Sequence, residues 1–285
     1  MISMRRLALA GLVITVAGCE RVVNISLPEG TKQLVVEARI ERVQGDVNGR
    51  QLVRLTTTDA YFSNSAPPPA RGALVQIADD AGHIVVFAES STEPGAYRTS
   101  DLVGETGRRY TLTIDYSGER YQSVETLVPV APIDSLYFAV TKNSIGNVDL
   151  LRATIDLRDP RGVKNFYLWD QLVDGVRLVS GDSAFRSRAV GADEFQDGHH
   201  ITAYQPYEAV GLKSGQLVVM RQTGLSEQSY RYYTALSDQT QNSGSPFDVG
   251  LTSVRGNVAN LTNPSHLPLG YFMAGEVAER RGRVP

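Results

Sequence analysis

Thiols, tryptophan and long apolar runs are what this sequence has least of. Cys19 is the single cysteine among 285 residues, so no disulfide can form within the chain. The main aliphatic run, Leu7 to Val16, is short. A helix of that length covers about 15 Å, roughly half of a bilayer's hydrocarbon thickness, which excludes a transmembrane anchor there. Common enzyme signatures are absent too: the sequence holds no Gly-x-Ser-x-Gly elbow, no Ser-x-x-Lys, no His-Glu-x-x-His and no phosphate-binding loop ending in Gly-Lys. Nor is there an excess of basic charge. Lysine and arginine together number 28 against 31 acids, with the signs interspersed, so no basic stretch marks a nucleic-acid partner.

What is there begins at the amino terminus. Arg5 and Arg6 precede the aliphatic run, and small residues follow it, which is the pattern of a secretory signal peptide over residues 1–18. Val16-Ala17-Gly18-Cys19 resembles the lipobox of bacterial lipoproteins, in which cleavage falls before the cysteine and the thiol receives a diacylglycerol. Each buried methylene contributes roughly 0.8 kcal/mol, so several acyl chains on Cys19 hold a protein at a membrane surface without any membrane span. That covalent lipid is the only cofactor the sequence suggests. Removal of residues 1–18 takes away Arg5 and Arg6 and no acid, leaving 26 basic and 31 acidic side chains and a formal charge of −5. Glu20, rather than aspartate, follows the cysteine, which favours the outer membrane and leaves its face open.

The remainder reads as β structure. Residues 19–32 are polar and carry Pro28 and Gly30, a short lipidated tether. In 33–41, Leu34, Val36, Ala38 and Ile40 alternate with Val35, Glu37, Arg39 and Glu41, and 73–88 reads as a hairpin about Asp79-Asp80-Ala81-Gly82. Tyr110, Leu112 and Ile114 alternate again before a tight turn at Ser117-Gly118. About seven short strands within roughly a hundred residues suggest an immunoglobulin-like or transthyretin-like β-sandwich over 33–128. Pro129 and Pro132 interrupt the pattern, so 129–134 reads as a Pro-rich linker. A second β-rich domain is expected over 135–285, with one prominent helix near 226–241. There Ser226 is placed to cap, Leu225 and Tyr230 to form a hydrophobic staple, and Ser229 to interrupt the apolar face. The expected fold class is therefore mainly β.

Three groups of residues are candidates for function. The loop GADEFQDGHH carries Asp193, Glu194, Asp197, His199 and His200, whose carboxylates and imidazoles are metal-ligand types, with Asp197, His199 and His200 as the nominal set. Adjacent histidines on an extended chain point to opposite faces, however, and no ligand spacing repeats elsewhere, so a solvated loop is the simpler reading. Trp169 can anchor a partner or stack a sugar, or it can fill the core of its strand. Tyr61 and Phe62 precede three prolines, a stiff loop able to present aromatics to a partner or to fold them back on the sandwich.

Several stretches resemble a family of lipoproteins from Bacteroidota known as domain of unknown function 4249. They are Cys19-Glu20 with LVVEARI, DAYFSNSAPPPARGALVQIADDAGH, EPGAYRTSDLVGETGRRYTLTI, the linker Pro129 to Leu136, SYRYYTAL with GSPFD, and GYFMAGEV. They occur in order along nearly all of the mature chain. The resemblance implies an outer-membrane lipoprotein with an amino-terminal sandwich, associated with TonB-dependent transporters, and supplies no catalytic residues. The expectation is thus a non-enzymatic, lipid-anchored accessory protein that binds such a transporter or its ligand. A structural or adhesive surface protein and a hydrolase with its site in the carboxy-terminal domain are the alternatives.

Overall fold

The alternation read in the sequence becomes burial in the structure, a computed structural model that describes residues 31–59, 65–142, 149–179, 188–194, 196–241 and 254–285. Strand β1 (Leu34–Val43) turns Leu34, Val36, Ala38 and Ile40 into the core and leaves Glu37, Arg39 and Glu41 on its other face. It pairs antiparallel with β2 (Gln51–Thr57), which buries Val53 and Leu55. Next come β3 (Leu74–Asp79), β4 (Ile84–Glu89), β5 (Ala96–Thr99), β6 (Arg109–Tyr116) and β7 (Glu119–Thr126). Ser117 and Gly118 join β6 to β7 with φ of 52° and 80°, the left-handed pair that a two-residue hairpin turn needs. Asp79 closes the β3–β4 hairpin, its Oδ1 accepting the backbone N–H groups of Ala81 and His83. Val75, Ile77, Tyr110, Leu112 and Ile114 meet Val36, Ile40, Leu55 and Tyr97 in one core, so these strands close over one another as a sandwich.

The carboxy-terminal part adds β8 (Ile133–Lys142), β9 (Asp149–Arg158), β10 (Phe166–Val173), β11 (Val176–Arg177), β12 (Ala189–Ala192), β13 (His200–Tyr204) and β14 (Leu217–Gly224). After them come helix α1 (Glu227–Gln241), β15 (Ala259–Asn260) and the long β16 (Leu269–Arg283). Strands β13, β9 and β8 form a small sheet. The other thirteen belong to one continuous sheet in the order β11-β10-β14-β16-β1-β2-β5-β4-β3-β6-β7-β15, with β12 on β10. The fold is mainly β.

Strand β16 is the seam. Its first part, Leu269 to Val277, runs parallel to β1, and from Val277 to Arg283 it pairs antiparallel with β14. A single strand therefore lines both the sandwich core, through Phe272 and Ala274, and the second core, through Ala278. The segment 129–134, where the sequence suggests a linker between domains, is bound down. Val128 bridges Gly275, the Val130 N–H donates to Glu276, and the Gln222 amide donates to the Ala131 carbonyl at 2.8 Å. Gly224 lets the chain pass there, because a Cβ on it would lie 2.3 Å from the Pro129 carbonyl oxygen. Residues 32–285 form one compact unit.

Helix α1 starts as the sequence suggests: the Ser226 Oγ accepts the Ser229 N–H at 3.1 Å, and Leu225 and Tyr230 lie in the same apolar cluster. Ser229, read as an interruption of the apolar face, is buried and bonded. Its hydroxyl and those of Ser226 and Tyr271 all reach Glu125 Oε2, at 3.2, 3.2 and 3.1 Å. The helix thereby rests on β7 and β16 through one buried carboxylate. No helix among the described residues is long and apolar enough to cross a membrane. Residues 1–18, Cys19 and most of the tether, Tyr61 and Phe62, and the GSPFD segment lie outside the described residues.

Candidate functional site

A cavity of about 190 Å³ opens between the large sheet and the small one. Strand β10 supplies Tyr167 and Trp169, β12 supplies Gly191 and Ala192, and β9 and β13 close the other side with Leu157, Ile201 and Tyr204. Asp193 and Gln196, from the loop after β12, form the polar part of the wall. Alternation explains this placement: Tyr167, Trp169 and Gln171 point to one face of β10, while Leu168 and Asp170 point to the other.

Trp169 is 4% exposed, and its surroundings fix the ring. Its Nε1–H donates to Gln222 Oε1 at 2.8 Å, the Gln222 amide continues to Ala131, and the Tyr207 hydroxyl donates to the Trp169 carbonyl at 2.7 Å. Tyr204 meets the indole edge-on at a centroid distance of 4.8 Å, and Tyr167 lies at 5.6 Å. Gly191 faces the indole so closely that a Cβ there would sit 2.9 Å from a ring carbon. With the ring buried, no sugar can stack on it from the outer surface, and a ligand would reach it only through the cavity. Burial pushes the Tyr204 hydroxyl up to about 12, with Glu208 adding to the shift.

Beside the cavity, carboxylate oxygens of Asp159, Asp193 and Asp197 lie within 4.8 Å of one another. Each also fastens a loop. Asp159 accepts the Tyr167 hydroxyl at 2.6 Å and the Gly198 N–H at 3.2 Å, Asp193 accepts the Asn165 N–H at 2.9 Å, and Asp197 accepts the Gly162 N–H at 2.5 Å. Burial raises the pKa of Asp159 against the lowering effect of these donors, and the charges of Asp193 and Asp197 raise it further. An all-oxygen donor set suits a hard cation rather than zinc, but the same oxygens already hold the 159–163 and 193–198 loops together.

The structure thus joins Asp197 to Asp193, and both to Asp159; in the sequence Asp159 reads only as the start of the turn Asp159-Pro160-Arg161-Gly162, 34 residues from Asp193, with no local sign of their meeting. The two histidines are elsewhere. His200 is exposed, with Nε2 3.7 Å from Asp134 Oδ2, and the exposed His199 is held through its backbone, its N–H donating to Gln196 and its carbonyl accepting from Asp159. Glu194 is exposed. Among the described residues, the metal-type side chains of this loop do not form one histidine–carboxylate constellation.

Comparison with solved structures aligns the chain with the crystal structure of CBD12 from CALX1.2, covering 88% of this chain and 100% of that one at 10% identity and a TM-score of 0.17, too low for any argument. No curated protein matches. The family model described as Domain of unknown function (DUF4249) matches residues 20–281. That span takes in the sandwich, the seam strand and the cavity alike, and the chain belongs to the DUF4249 family.

Proposed function

We propose that this chain is a lipid-anchored outer-membrane accessory protein that binds a TonB-dependent transporter or its ligand during uptake. The observation that carries the reading is the run Leu7 to Val16 followed by Val16-Ala17-Gly18-Cys19, which supplies an export signal and a thiol for lipid attachment with no other cysteine in the chain. The cavity beside Trp169 gives such a protein a seat for a small ligand: its wall is mostly apolar with a few polar groups, the composition expected of a recognition site. The role assigned is binding, not catalysis. The test is affinity recovery of the tagged full chain from detergent-solubilised membranes of its own host. Co-recovery of an outer-membrane transporter in wild type is the expected result, and repeated recovery with none would overturn the proposal.

A further inference from the structure

The outer face of the large sheet, beyond the cover of α1, holds a charge arrangement that the anchoring reading does not use. Asp170 lies at the middle of β10, and its side chain is 1% exposed. A buried carboxylate has to be paired. This one has three partners: Arg177 Nη1 at 2.8 Å, Arg188 Nη1 at 3.4 Å and Arg39 Nη1 at 3.7 Å. A fourth arginine, Arg221, lies opposite Asp170 on β14 and is held by Glu41 at 2.7 Å and Glu279 at 3.5 Å. Arg39 also reaches Glu41, at 3.4 Å. Arg281 reaches Glu279 as well, at 2.6 Å, so among the described residues five guanidinium groups meet three carboxylates, and three of the five crowd onto Asp170.

Crowding like charges in a half-buried position is unfavourable unless something further stabilises them. The neighbouring Arg39 and Arg188 add to burial in lowering the pKa of Arg177. Their geometry is nevertheless fixed. The guanidinium carbons of Arg39 and Arg188 lie 5.8 and 5.6 Å from the centre of the Tyr233 ring of α1. Asp170 engages all three arginines from below, and each remains 21–29% exposed. Three guanidinium groups gathered on one carboxylate and still partly exposed match the planar oxygens of a carboxylate or phosphate, and holding them in advance removes most of the ordering cost of binding.

We propose that Arg39, Arg177 and Arg188, ordered on the buried carboxylate of Asp170, form a binding site for an oxyanion group, carboxylate or phosphate, of a soluble ligand. The proposal stands apart from the membrane anchor and the cavity, so it survives if either of those readings fails.

The test is thermal unfolding of the full chain in detergent, titrated with inorganic phosphate or with malonate while sodium chloride holds the ionic strength constant. Saturable stabilisation by either is expected, roughly 2–5 °C at ten times the half-saturating concentration. Whichever anion saturates at lower concentration identifies the preferred oxyanion. The variants Arg177→Gln and Arg188→Gln are expected to raise the half-saturating concentration at least tenfold, whatever the loss of a contact to Asp170 costs them in melting temperature in chloride. Arg177→Lys, which keeps the charge and loses the fork, gives an intermediate response. Two results would overturn the proposal. One is stabilisation by phosphate and malonate no greater than by chloride. The other is Gln variants that melt lower in chloride yet keep the wild-type response to the anions, as an ion-pair network of purely structural role would behave.

Discussion

Replacing Glu125 with alanine removes the one acceptor shared by Ser226, Ser229 and Tyr271. Three hydrogen bonds to a buried carboxylate, at about 1 kcal/mol each, give an expected loss of about 3 kcal/mol. For a unit of this size that lowers the melting temperature by roughly 6–12 °C, measurable by circular dichroism in thermal and urea unfolding. Glu125→Gln separates acceptor from charge. Burial is the largest influence on Glu125 and raises its pKa, against the lowering effect of the Thr126 N–H and the three hydroxyls. A carboxyl whose folded-state pKa is raised contributes most below its unfolded pKa, and that contribution is lost as pH rises towards and through the folded value. Wild type should therefore lose stability relative to Glu125→Gln as pH rises from about 4 to 7. Glu125→Gln should match or exceed wild type at pH 7. Glu125→Ala within about 0.5 kcal/mol of wild type would refute the docking role of the carboxylate. A Gln variant as damaged as the Ala variant at pH 7 would refute the raised pKa.

Gly191→Ala places a methyl group 2.9 Å from the Trp169 ring, so the indole or β12 must shift; the expected cost is about 1–3 kcal/mol. Because Trp169 is the only tryptophan, the shift should appear directly as altered intrinsic fluorescence, and an unchanged spectrum would mean the two do not touch. His266 ties Lys32, just before β1, to the start of β7. Its Nε2 lies 2.9 Å from the Lys32 carbonyl and its Nδ1 3.0 Å from Glu119, and these contacts raise its pKa above 6.5. A raised histidine pKa stabilises below the unfolded value and loses that effect as pH rises through the folded one. His266→Gln should therefore cost about 0.5–1 kcal/mol at pH 6 and less at pH 8.5 in denaturant titrations. An equal cost at both pH values would contradict the charged pair.

Local features of this fold were legible because they are short-range. Alternation located the strands, Ser117-Gly118 the hairpin turn and Ser226 the helix start. What the sequence hid is what its distant segments do to one another. GYFMAGEVAE reads as a last strand, but nothing in its pattern says that it pairs parallel with Leu34–Val43 at the other end of the chain. That pairing carries one sheet past the prolines at 129 and 132, where a linker was expected. Ser229 looks like a defect in an apolar stripe until Glu125, on a strand of the sandwich, is placed beneath it. The candidate site divides the same way. Trp169 and Asp193 were singled out separately and share one cavity. Asp159 and the arginine group around Asp170 were invisible because their members are scattered across the chain, and only the fold gathers them.

The most direct measurement of the anchored-binder account is mass spectrometry of the amino-terminal peptide from protein extracted from the membranes of its host. The account predicts that the chain begins at Cys19, with a diacylglycerol on the thiol and an acylated amino group. It also predicts that Cys19→Ser leaves the membrane fraction. A mature peptide that retains residues 1–18 with an unmodified Cys19 thiol would contradict it.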